Sequence, residues 1–162
     1  MDWGYLHLVI NHFPVVGIIL GTLLLAAGLV LKNQGVKGSG LGIVLFSALS
    51  AVVTYFTGDP AKDAVERIPE VADAFVNRHE DIATVGMYLM IPAGLLAGMS
   101  LYSIWKKERS ADFLVMVTLV LSLTTSVAFV YTGRTGGQIR HSEFRQGVTL
   151  DTEIDSLNNS KN

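Results

Sequence analysis

Apolar residues run along this chain in four long stretches separated by short polar breaks. The first extends from about Leu6 to Leu31 and stops at Lys32; the second runs from about Leu41 to Thr57 and stops at Gly58-Asp59-Pro60. The third covers Ile82 to Trp105 and ends at Lys106-Lys107; the fourth covers Phe113 to Thr132 and ends at Gly133. A helix needs roughly 20 apolar residues to cross the hydrocarbon of a bilayer. The second stretch is short for that, and it spans if its flanks snorkel or the bilayer thins. Soluble helices rarely stay apolar on every side for this long, so the pattern predicts an all-α integral membrane four-helix bundle.

Composition sharpens the picture. The chain has 162 residues, 50% apolar and 16% charged, where soluble proteins carry about a quarter charged, and its mean hydropathy is +0.44. We expect one transmembrane domain over residues 1–145 and a flexible polar tail over 146–162. Met1-Asp2-Trp3-Gly4-Tyr5 lacks a cationic segment, so the first stretch is expected to be a retained span and not a leader. Net charge is −2 with no Lys/Arg cluster, which argues against a nucleic-acid partner. The absence of cysteine excludes disulfides, thiolate catalysis, Fe–S ligation and covalent haem attachment.

Loop charges predict orientation. Lys32, Lys37, Lys106, Lys107 and Arg109 lie in the two short connectors, whereas residues 58–81 are rich in acids: Asp59, Asp63, Glu66, Glu70, Asp73, Glu80 and Asp81. The positive-inside rule then places both termini and the long loop outside a bacterial cytoplasmic membrane, facing the periplasm. Trp3, Tyr5 and Trp105 fall where interfacial aromatics belong.

Within the outer loop, Pro69 suits a first helical position. Ile68, Val71, Ala72, Phe75 and Val76 recur at helical spacing. Continuing the stripe lands on His79, predicting an amphipathic helix that turns His79 inward and Glu80 and Asp81 away. Pro92 is expected to kink the third span. Gly17-x-x-x-Gly21 and Gly94-x-x-x-Gly98 suit close helix packing, and Thr118, Ser122 and Thr125 share one face of the fourth span and suit bonding across helices.

The chemistry resides in four histidines, His7, His12, His79 and His141, all mapping to the outer side because the spans alternate direction. His12 stands about two turns into the first span, where an ionisable side chain is costly without a partner inside the bundle. With His79 predicted inward at similar depth, a shared site between His12 and His79 is the expectation, either as axial ligands of a b-type haem or as ligands of a metal ion. For haem, Gly133, Gly136 and Gly137 allow close backbone approach, and Arg78, Arg134 and Arg140 suit the propionates. For a Zn, Cu, Fe or Mn ion, His141, Glu80 and Glu143 join the candidates. No HExxH, Walker, GxSxG or dinucleotide motif is present.

The order Asn11-His12-Phe13-Pro14, Thr57-Gly58-Asp59-Pro60-Ala61, Arg78-His79-Glu80 and Gly136-Gly137-Gln138-Ile139-Arg140-His141-Ser142-Glu143 resembles a family of bacterial predicted membrane proteins, a transmembrane domain of unknown function. The resemblance spans about Leu6 to Arg145. Many relatives carry a Tyr and His after the double glycine where this chain has Ile-Arg-His-Ser-Glu. The domain also occurs fused to Rieske or c-type cytochrome domains, which implies electron transfer at the outer face and ranks haem b above a metal ion.

Two haems stacked through the bilayer would need histidine pairs in both leaflets, and ligands occur here on one side only. The resulting expectation is a haem-bearing subunit or complex partner relaying electrons at the outer face, between a quinol and a c-type cytochrome or Rieske protein. His12 and His79 are its axial ligands, with His7 and His79 the alternative pair; in the first pairing His7 and His141 assist nearby by hydrogen bonding or proton release. The competing expectations are a non-haem metal site for transport or sensing, and a structural subunit whose histidines are simply bonded in place.

Overall fold

The computed structural model describes residues 3–65, 73–141 and 145. Its helices are α1 (Trp3–Ile10), α2 (His12–Val30), α3 (Gln34–Phe56), α4 (Gly58–Val65), α5 (Asp73–Lys106) and α6 (Ala111–Arg140), with no strand among the described residues. Four lengths are apolar and long enough to cross a membrane: α1 with α2, α3, α5 and α6. No more than a third of each apolar window is buried within the protein. The rest, including Leu23, Leu49, Leu95 and Val120, forms an apolar outer wall that a bilayer covers.

The helices outrun the apolar stretches. Span two begins at Gln34, making α3 23 residues long, so it crosses without thinning the bilayer. The amphipathic segment before the third stretch is continuous with it as α5: Phe75 and Val76 are buried, while Glu80 and Asp81 are exposed. Pro69, Ile68, Val71 and Ala72 lie outside the described residues, as does the tail. Pro92 sits inside α5 without interrupting it. Gly133 does not stop the fourth span, which continues as helix to Arg140. At Gly58 the chain starts another helix, α4, with Asp59 in its first turn and Pro60 where a missing N–H costs nothing.

The four long helices pack in a ring: α2 beside α3, α3 beside α5, α5 beside α6, and α6 back on α2. Close approach comes from small residues. A Cβ at Gly40 would lie 2.6 Å from the Leu25 nitrogen, and one at Gly21 would lie 3.1 Å from the Gly40 oxygen. Gly17 meets Ser47, Gly94 meets Ala48, and Gly98 faces open space, so only the first Gly-x-x-x-Gly pair works as a pair. Thr118 bonds across helices to Ser100 at 2.9 Å and Thr125 reaches the Leu89 carbonyl at 3.5 Å, whereas the buried Ser122 hydroxyl has no partner among the described residues.

The second helical hairpin repeats the first. Buried Pro14, Ile18, Gly21, Thr22, Leu25 and Gly28 on α2 recur at identical spacing as Gly86, Met90, Ala93, Gly94, Ala97 and Ser100 on α5. Lys37, Gly40, Val44, Ser47 and Ala51 on α3 recur as Val115, Thr118, Ser122, Thr125 and Phe129 on α6. Both hairpins turn through the same motif at the lysine end. Lys32 and Lys107 adopt φ of 51° and 55°, and six-residue backbone bonds (Asn33 to Gly28, Glu108 to Ser103) close each helix. Because both hairpins start from the same end, they are parallel repeats about an axis along the bundle. A Lys37–Asp112 ion pair of 2.8 Å ties them together there.

Candidate functional site: twin imidazole hooks

At the opposite end, where each hairpin starts and finishes, the repeat carries a histidine. His7 of α1 places its Nδ1 3.1 Å from the carbonyl of Thr54 and 3.2 Å from the hydroxyl of Thr57, both at the end of α3. His79 of α5 places its Nδ1 3.1 Å from the carbonyl of Thr132 and 3.2 Å from the hydroxyl of Thr135, both on α6. The chain segments that receive them are the same motif: Thr54-Tyr55-Phe56-Thr57-Gly58 and Thr132-Gly133-Arg134-Thr135-Gly136.

The hydrogen bonds fix the tautomer. A carbonyl has no proton to give, so Nδ1 donates. The Thr57 hydroxyl directs its own proton back to the Thr54 carbonyl at 2.9 Å, and Thr135 does the same to Thr132 at 3.0 Å. Each neutral ring therefore carries its proton on Nδ1 and presents a lone pair on Nε2. Neither Nε2 has a protein partner among the described residues. An Nδ1–H tied to a backbone carbonyl with a free Nε2 is the arrangement by which proteins orient an imidazole toward a metal centre.

The structure departs from the inward placement expected of His12. His12 is exposed on the outer surface of α2, whereas His7 is half-buried and hooked. Five helical residues rotate a side chain by about 140°, so His7 and His12 cannot share a face. His12 looked inward because depth along the span was read without angle around it. The second part-buried, hydrogen-bonded histidine at this end is His7.

The other candidates divide. Gly136 backs the His79 ring: a Cβ there would sit 3.1 Å from Cε1 and 3.4 Å from Nδ1. Gly137 faces open space, and Gly133 lies beside Val15 at ordinary contact distance. Arg78, Arg134 and Arg140 are exposed, with no ion pair among the described residues. His141 ends α6 as its C-cap and is exposed. Glu80 is taken up by Lys62 of α4 at 2.8 Å, and Glu143 lies outside the described residues. Unforeseen from the sequence is Arg145, which donates to the Gln138 and Ile139 carbonyls at 2.8 Å each and stacks 4.8 Å from the Phe75 ring, pinning the end of α6 to the start of α5. The missed signal was the duplicated Thr-x-x-Thr-Gly.

Compared with family models, curated proteins and solved structures, the chain matches none of them.

Proposed function

We propose that this chain is a membrane electron carrier holding one b-type haem between His7 and His79, at the outer face of a bacterial cytoplasmic membrane. The observation that carries the reading is the twinned hook: two imidazoles from two hairpins, each with its proton fixed on Nδ1 and its Nε2 unused. A b-type haem asks the protein for two such nitrogens. A bare ion asks for more side chains, and among the described residues no three His, Asp or Glu gather. The donor set therefore suits haem, which when bound supplies one-electron chemistry.

The chain's own residues bind and orient. The Thr54 and Thr132 carbonyls hold the rings, Gly136 admits the His79 ring against α6, and exposed Arg78, Arg134 and Arg140 suit propionates. With both ligands at one end, exchange takes place at one face, with a quinol, a c-type cytochrome or a Rieske protein as partner. The lysine-bearing connectors support both termini being outside.

The test is an absorption spectrum of protein purified from haem-replete cells. We expect an intense Soret band and a sharp reduced α-band. His12→Ala should keep them, and His7→Ala and His79→Ala should each lose the six-coordinate form. A flat spectrum with a stoichiometric metal ion would overturn the haem in favour of an ion; a flat spectrum without metal would leave a structural role for the histidines.

A further inference from the structure

The two half-sites share their hydrogen bonds and differ in their mountings. His79 sits within α5, a helix of 34 residues that runs unbroken from Asp73 to Lys106. Its ring is wedged on α6, since a Cβ at Gly136 would already crowd Cε1 at 3.1 Å. His7 sits on α1, the outer eight residues of the helical length Trp3–Val30, in which only Gly4 is buried.

The weak point after α1 has a covalent cause. Pro14 offers no N–H to the carbonyl of Ile10, and its ring presses on that carbonyl. The backbone stays helical through Asn11, at φ −63° and ψ −20° with its N–H bonded to the His7 carbonyl at 3.0 Å, and what Pro14 removes is the one bond that would hold the Ile10 carbonyl. Outside that point, α1 leans mainly on α4, a helix with no buried residue of its own. The glycine equivalent to Gly136 is Gly58, where a Cβ would stand a relaxed 3.9 Å from the His7 Cε1. Segments with few buried contacts open at low free energy, and α1 has fewer buried residues to hold it than α5 has.

Resting on the haem reading, we infer that His7 is the displaceable ligand and that the site binds a small neutral lone-pair donor, of the class of imidazole or carbon monoxide, on the His7 side. The Asn11-His12-Phe13-Pro14 motif then has a role distinct from ligation, because its proline is the hinge.

The experiment compares haem-loaded His7→Ala and His79→Ala proteins during imidazole titration, and reduced wild-type protein under carbon monoxide. His7→Ala is expected to keep haem and regain a six-coordinate spectrum with imidazole, while His79→Ala loses haem at least tenfold more. Reduced wild-type protein is expected to bind carbon monoxide, and Pro14→Ala, which restores the Ile10 bond, to bind it several-fold more slowly. In haem-free protein, amides of residues 4–10 should exchange at least tenfold faster than those of 76–86. Equal behaviour of the two histidine variants, rescue of His79→Ala instead of His7→Ala, or equal exchange would overturn the inference. A wild-type protein without a haem spectrum would overturn the haem reading and this inference with it.

Discussion

Gly136→Ala isolates the hook from the rest of the fold. The added methyl would sit 3.1 Å from Cε1 and 3.4 Å from Nδ1 of His79, so the ring must retreat by a few tenths of an ångström. Its Nδ1 already stands 3.1 and 3.2 Å from its two acceptors, close to the length at which such bonds weaken. Losing a neutral hydrogen bond costs about 1 kcal/mol, roughly a factor of five in ligand affinity. Replacing glycine inside a helix returns up to about 1 kcal/mol of propensity, so global stability should hardly change while the site weakens. Gly58→Ala is the internal control, since 3.9 Å is ordinary contact. Nitrogen-15 NMR of the imidazoles reads the tautomer and its hydrogen bond directly, and haem titration reads the affinity. If Gly136→Ala leaves the His79 Nδ1–H signal and the affinity as in the unaltered protein, the wedge argument is wrong.

Thr135→Val should loosen the same ring by removing one acceptor, about 1 kcal/mol, and Thr135→Ser should restore the NMR signal; a valine variant with an unchanged signal would contradict the hook. At the lysine end, Asp112→Ala strands the buried Lys37 ammonium and should cost about 2 kcal/mol in a denaturant titration, whereas Lys37→Met removes the charge that needs a partner and should cost less. The opposite ranking would refute the burial argument. Lys32→Gly and Lys107→Gly relieve left-handed backbone and should each stabilise by about 0.5–1 kcal/mol, measured as a shifted unfolding midpoint. Gly40→Leu should prevent folding in detergent, because its side chain would meet the α2 backbone; a folded variant with native circular dichroism would refute that contact.

The membrane-spanning helices were legible because a helix apolar on every side for some 20 residues finds its solvent only in lipid or in a deep core. Their true lengths were not, since hydropathy reports only the part in hydrocarbon while α3, α5 and α6 carry on through Gln34, Asp73 and Arg140. The inward turn of His79 was readable from the Phe75 and Val76 stripe, because an amphipathic stretch reveals angle. No such stripe surrounds His7 and His12, where both faces are apolar. The repeat stayed hidden because it lies in burial more than identity: Leu25 answers to Ala97 and Val44 to Ser122.

That repetition says something about how such a protein comes to exist. A single hairpin of this design, with one histidine hooked on one Thr-x-x-Thr-Gly, has half a site and one uncovered face. Two identical copies packed about the bundle axis would cover that face and bring two rings together with no further invention. Joining the copies in one chain releases them from equality. Here the release is visible in the two ends of the same motif, where one glycine locks its imidazole and the other leaves it room.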